Sequence, residues 1–470
     1  MKESNWKAVI DAAMKGAEKY FSSLPTRPVY RPAEPDEIMD LFGGPLPESG
    51  TSPEDVVASL SRDLDPFITS HASGRFFGFV IGGLHPASYG ADLLTATWDQ
   101  NAGLFAVTPG VAVIEDIARR WLLELLDLPS DASVGFVTGG QMANFTCLAA
   151  ARDAVLRDAG WDVESEGLQA APRVNVVVKS EKHSTVARAL RYLGLGFSNA
   201  TEVVSDPQGR IDPVELEKTL QQLDGPTIIC VEAGNINTGS FDPFGPVADA
   251  AEAHRARGNP TWVHVDGAIG LWARASGDRA WLTEQMDRLD SWSTDAHKLL
   301  NVSYDSGIAI CRDSAAHRAA MGVHAAYLIH SGTEERRDPM DWNPEFSRRA
   351  RGVAVYATLR SLGREGVDEL VERTCRLARR FADALTSTGR VKILNDVVFN
   401  QVLVQWQASG DVDAYNDRVI ERVQRDGTAF FSGTTANGMR MMRISVSDWA
   451  TDDDDADRAV AALIQAASPD

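Results

Sequence analysis

Short apolar runs recur along the middle of this chain: Val134 to Thr138, Val174 to Lys179, Thr227 to Glu232, Trp262 to Asp266 and Ser306 to Cys311, with helix-like or loop segments between them. Runs of this length suit strands better than helices. An apolar residue at nearly every position, not every second one, means that both faces are covered. The pattern predicts an α/β fold built on a largely parallel sheet. Ligands in such sheets bind beyond the carboxyl ends of the strands, so the polar residues that follow each run are where chemistry is expected.

The flanks differ in character. Residues 1 to 20 alternate charged and apolar positions at helical spacing and lack the apolar run of a signal peptide. The stretch SSLPTRPVYRPAEPDEIMDLFGGPLPESG is too proline-rich to form a unit by itself, so this arm is expected to pack on something else. From about Phe346 a helical run leads to VKILNDVVFNQVLVQWQ, a helix, two strand-like runs around Phe430 and Met441, and a last helix, which reads as a smaller α/β domain. The acidic run at 451 to 457 suits capping of that last helix better than a metal site.

With 470 residues, 44% of them hydrophobic, the chain can bury a large core, and its net charge of -20 opposes attraction to nucleic acid or anionic lipid. No run is long enough to cross a bilayer. Cys147, Cys230, Cys311 and Cys375 are scattered without metal or redox spacing, as expected where thiols stay reduced. Together these features predict a cytoplasmic protein with no nucleic-acid, membrane or metal partner.

Four clusters follow the strand-like runs. In VTGGQMANFT, glycines close one run and open a helix, so Gly139, Gly140, Gln141 and Met142 can offer unpaired amides to a phosphate; steric turn formation also explains the glycines. In VNVVVKSEKHSTV, His183 can lie against a heteroaromatic ring, or EKHS can be a solvated helix start. In VEAGNINTGSFDP, Asn235, Asn237 and Thr238 can donate hydrogen bonds, or simply form a turn. The fourth cluster pairs Asp266 with Lys298. A carboxylate ending an apolar strand needs a cation or water. A lysine in SWSTDAHKLLNVSYDSG can bind an aldehyde cofactor covalently while Asp266 keeps its ring nitrogen protonated, which is the chemistry of pyridoxal 5'-phosphate (PLP).

In this order the clusters resemble the PLP-dependent group II amino-acid decarboxylases, the family of aromatic-amino-acid, glutamate and cysteine-sulfinate decarboxylases. The likeness runs from about residue 65 through Gly363 and includes SGRFFGFV, HVDGAIGLWA, YDSG and RRARGVAVYATLRSLGREG. It implies PLP fold type I, with a mostly parallel seven-stranded sheet in the large domain. The expected divisions are an arm at 1–65, a large domain at 66–345 and a small domain at 346–470. It also implies a homodimer with active sites at the subunit interface.

Carried over by position, the resemblance makes Lys298 the cofactor's anchor and Asp266 the partner of its ring nitrogen. His183 stacks on one ring face and Ala268 touches the other. His297 and the TGGQM turn hold the phosphate, with Asn237 nearby. Tyr327 falls where the family has a tyrosine that protonates the substrate carbon after carbon dioxide leaves; members with phenylalanine there tend toward aldehydes. Departures are Leu299, where tryptophan is common, Asp295, where some relatives have asparagine, and FGFVIGG, which lacks a proline and threonine. Phe79, Val80 and Ile81, with Leu104 and Phe105 from a partner subunit, suggest an apolar or aromatic substrate side chain. Arg75 could instead meet an acidic one. The expected reaction is decarboxylation of an L-amino acid to its amine, against transamination, aldehyde formation, carbon-carbon lysis or a silent binding subunit.

Overall fold

The computed structural model describes residues 6–180, 184–322, 336–436 and 438–468. The apolar runs form the interior of a seven-stranded sheet: β1 (Ser133–Val137), β2 (Asn175–Lys179), β3 (Thr201–Val203), β4 (Thr227–Glu232), β5 (Thr261–Asp266), β6 (Ser291–Asp295) and β7 (Gly307–Cys311). Their order is β1-β7-β6-β5-β4-β2-β3. β7 runs antiparallel to β1 and β6, and the other neighbours pair in parallel. Every residue of β1, β4, β5, β6 and β7 is buried. Each fully buried Val or Ile in these strands contributes roughly 1.5–3 kcal/mol, which explains why the runs read as continuous apolar sequence.

β3 and β6 are not among the apolar runs, for different reasons. β3 has three residues and lies at the sheet edge. β6 is central, but its sequence SWSTD is mostly polar. Its serines are satisfied internally: Ser291 Oγ accepts from Trp262 Nε1 at 2.8 Å, and Ser293 Oγ donates to Asn144 Oδ1 at 2.6 Å. Hydrogen bonds therefore replace apolar contact on that face.

Six helices lead up to and across the sheet: α1 (Trp6–Ser23), α2 (Pro35–Phe42), α3 (Pro53–Asp63), α4 (Pro86–Trp98), α5 (Pro109–Leu125) and α6 (Gly140–Asp158). α6 packs on β5, β6 and β7 through Ala143, Cys147, Ala150, Ala151 and Ala154, whose small side chains let the helix lie close to the sheet. The C-terminal part has its own antiparallel sheet, β8 (Val391–Ile393), β9 (Gln401–Trp406), β10 (Ser432–Ala436) and β11 (Met439–Ser445), ordered β10-β11-β9-β8. The helices Arg351–Thr386, Val412–Asp426 and Asp453–Ala466 share a second core with it. The acidic run starts the last helix as expected, with the Asp452 side chain accepting from the Asp455 amide.

Candidate active site

The glycine turn, Asp266 and the lysine turn meet at the carboxyl edge of the large sheet because the strands that carry them point the same way. Asp266 ends β5 beside Glu232, which ends β4, and Asp295 ends β6. Asp266 pairs in register with Ser293, and the Asp295 amide donates to the Ala268 carbonyl at 3.3 Å. Three residues past Asp295, Lys298 Nζ lies 2.9 Å from Asp295 Oδ2.

Asp266 is 5% exposed. Its Oδ2 accepts from Asn144 Nδ2 at 2.9 Å and from Thr185 Oγ1 at 3.4 Å, and its Oδ1 accepts from the Ala268 amide at 3.2 Å. Among the described residues no cation pairs with it. A buried carboxylate that receives only neutral donors still calls for a positive partner, and a protonated pyridine nitrogen meets that need.

The second half of the site is the turn into α6. Gly140 donates to Asp295 Oδ1, whereas the Gln141 and Met142 amides in the first helical turn have no acceptor among the described residues. These free amides sit at the positive end of a 19-residue helix. Glycine at 140 and 307 is required by closeness: a Cβ at Gly140 would lie 2.8 Å from Asp295 Oδ2, and one on Gly307 would overlap the Gly139 backbone. The donor set and the open cradle fit the phosphate of PLP.

Asp295 is the focus of this turn. Burial pushes its carboxyl up, but Lys298, His297 and the Gly140 amide outweigh that and hold it below the usual carboxylate range. His297 Nδ1 accepts from the Ser306 amide at 3.1 Å, so its proton is on Nε2, 3.3 Å from Asp295 Oδ1. The imidazole stacks on Tyr304, with centroids 4.2 Å apart, and burial lowers its pKa. At neutral pH it is a neutral donor.

The apolar segment expected at the substrate is also here. A Cβ on Gly82 would overlap the Lys298 carbonyl, so the chain at Gly82 touches the lysine turn, while Gly78 lies against Phe430 and Gly83 against Asp448. Phe79 and Val80 have φ of 54° and 57°. For a β-branched Val this left-handed conformation is strained, by about 1–3 kcal/mol. It leaves Val80 buried and Phe79 59% exposed. Ile81 is half-buried. Leu104 and Phe105 pack elsewhere in their own chain: the Phe105 amide donates to Asp338 Oδ1 at 2.8 Å and its ring faces Arg336. His183 and Tyr327 lie outside the described residues.

The polar loop after β4 takes the second of its two readings, Asn237 departs from its expected place, and Arg75 loses the option left open for it. Asn235 accepts from the Asn237 and Thr238 amides, so the polar loop after β4 is a turn. The Asn237 side chain faces the smaller domain, where its Oδ1 accepts from Thr434 Oγ1 at 3.0 Å and Arg443 Nη1 at 3.4 Å. Arg75 is committed to the carbonyls of Thr428, Leu24, Pro25 and Arg27 and is not free to meet a substrate.

The structure also adds residues that the sequence reading did not single out. Asn144 follows Gly140 by one helical turn, a spacing that could have flagged it. Arg443, 6% exposed, has an Nε without a partner, and burial lowers its guanidinium to about 10, so it stays charged at neutral pH. Glu232 pairs with buried Lys179 at 2.6 Å, and burial next to Asp266 raises its carboxyl to about 7.

Comparison with known proteins gives a consistent result. Residues 35–407 match the pyridoxal-dependent decarboxylase conserved domain. Tryptophan decarboxylase 1 of Oryza sativa subsp. japonica is 26% identical over 91% of this chain and 87% of its own length. The acidic amino acid decarboxylase GADL1 of Homo sapiens is 26% identical over 77% of this chain and 68% of its own. The crystal structure of Oryza sativa TDC with PLP and tryptamine superposes with a TM-score of 0.90 at 24% identity, covering 99% of both chains.

Proposed function

The chain belongs to the pyridoxal-dependent decarboxylase family, and from that premise we propose how its own residues release carbon dioxide from an L-amino acid. The protein is a PLP-dependent carboxy-lyase. When bound, PLP supplies the electron sink for the bond that breaks. Lys298 anchors the cofactor, and Asp266 keeps its ring nitrogen protonated. The Gln141 and Met142 amides, with Gly139, Gly140 and His297, hold its phosphate. His183 and Ala268 enclose the ring, and Tyr327 returns a proton to the substrate carbon. Asp295 orients Lys298 and His297. The observation that carries this reading is Asp266: a buried carboxylate with neutral donors only, one strand away from the lysine turn.

For the substrate we favour an apolar or aromatic side chain. Phe79 and Val80 belong to the segment whose Gly82 touches the Lys298 carbonyl, and Arg75 is occupied by backbone carbonyls. Arg443 is the proposed holder of the α-carboxylate. Its strand partner Ser432 accepts from the Phe79 amide at 3.3 Å, which puts the cation at the edge of the same segment. The divisions at 65 and 345, the homodimer and the cytoplasmic address belong to the same reading. Among the described residues no helix is long and apolar enough to cross a membrane.

The direct test is incubation of the PLP-loaded protein with a panel of L-amino acids, measuring carbon dioxide and identifying the organic product. Amine from aromatic or aliphatic substrates supports the proposal. Keto acid or aldehyde as the main product points to the rival chemistries. A Lys298→Ala protein that still gives a borohydride-stable cofactor adduct at the site and turns over normally removes the lysine from its role.

A further inference from the structure

Beneath Asp266 lies a chain of buried polar side chains that the proposed reaction leaves unused. Trp262 Nε1 can only donate, and it donates to Ser291 Oγ at 2.8 Å. Ser291 Oγ lies 2.9 Å from His264 Nδ1, and His264 Nε2 lies 2.9 Å from Asn144 Oδ1. Ser293 Oγ donates to the same Oδ1 at 2.6 Å. Asn144, His264, Ser291 and Ser293 are all 0% exposed.

The direction of these bonds is fixed from both ends. Asn144 must turn its amide hydrogens toward Asp266 Oδ2 and Thr185 Oγ1, because the reverse orientation sets an oxygen against a carboxylate at 2.9 Å. Its Oδ1 therefore requires donors, so His264 carries a proton on Nε2 whether the imidazole is neutral or charged. Neutral His264 then accepts the Ser291 hydroxyl proton on Nδ1. Two donors on Oδ1 prevent the amide from flipping, and the locked amide fixes the orientation of the Asp266 carboxylate.

We propose that His264, acting through Asn144, is a positioning residue for the cofactor: it holds the Asp266 side chain in the orientation that meets a protonated ring nitrogen. This rests on the reading of Asp266 given above. It predicts selectivity for the ring nitrogen itself, which a merely structural histidine would not confer.

The test is binding to cofactor-free protein, followed by tryptophan fluorescence, of PLP and of its analogue with C–H in place of the ring nitrogen. His264→Leu is expected to weaken PLP about tenfold, the worth of a buried hydrogen-bond link, while leaving the analogue within about twofold. His264→Gln, which retains a donor near the Nε2 position, is expected to restore PLP binding. Equal weakening of both ligands, or of neither, overturns the proposal. Asp266→Asn is the separate arm. If it discriminates the two ligands and His264→Leu does not, only the role of His264 falls. If it fails to discriminate them, the assignment of Asp266 fails and this proposal with it. Should His264→Leu not fold, Ser293→Ala removes one donor from Asn144 Oδ1, and about threefold weakening of PLP alone is expected; no selective loss overturns the proposal.

Discussion

Asp266 was legible because a charge ending an apolar strand demands a partner, and Lys298 because its motif follows that strand end with a histidine beside it. If Asp266 holds the ring nitrogen, Asp266→Asn removes the charge that favours electron flow into the ring. A loss of about 10³-fold in kcat, about 4 kcal/mol, is expected with the fold intact by circular dichroism. A kcat within tenfold of the parent would separate Asp266 from the chemistry. Tyr327 makes a different prediction: Tyr327→Phe is expected to shift product from amine toward aldehyde, ammonia and peroxide, checked by product analysis, and an unchanged amine yield would remove it as proton donor. Arg443 escaped the sequence because its meaning is tertiary, whereas Asn144 carried a local signal in its one-turn spacing from Gly140. An arginine in MRMMRIS looks like a solvated strand residue until its Nε is found buried and unpartnered.

At the scale of elements, apolar patterning revealed β1, β2, β4, β5 and β7 but not β6, where serines are satisfied by Trp262, His264 and Asn144 instead of packing. The lysine turn was visible as a motif and the 79–81 segment was expected near it, whereas their contact was not legible, since it depends on glycines meeting residues far away in sequence. Gly82 lies on the Lys298 carbonyl and Gly83 on the Asp448 carboxyl. Asp448 is 1% exposed with Oδ2 unpartnered, and burial raises its pKa to about 7. The unfolded value is near 3.9. Between these values the native state binds more protons than the unfolded one, so this group makes stability fall as pH rises to about 7, and the loss is complete above that. Asp448→Asn retains an acceptor for the Ala450 amide and removes the titration. Its Tm is therefore expected to exceed the parent's at pH 8, with the advantage fading toward pH 4. A constant difference across that range would show that Asp448 is not the titrating group.

The molecule as a whole presents an apolar surface that one chain does not cover. Among the described residues, none of α1, α2 or α3 is buried. Trp6, Met39, Leu46, Leu94, Trp98 and Val107 are each at least 49% exposed. Apolar exposure along an arm, on α4 and near the Leu104–Phe105 loop suits a two-fold partner, and within its own chain Phe105 meets Asp338 and Arg336. In a two-fold dimer each substitution occurs twice. If Trp98 anchors the interface, Trp98→Asp at about 2 kcal/mol per copy weakens association by about 10³-fold, measured by sedimentation equilibrium. If Leu104 and Phe105 complete the site from the partner, activity per chain is expected to fall with the monomer fraction and to recover as protein concentration rises. A Trp98→Asp protein that is monomeric at the assay concentration yet as active per chain as the parent would show that each chain completes its own pocket.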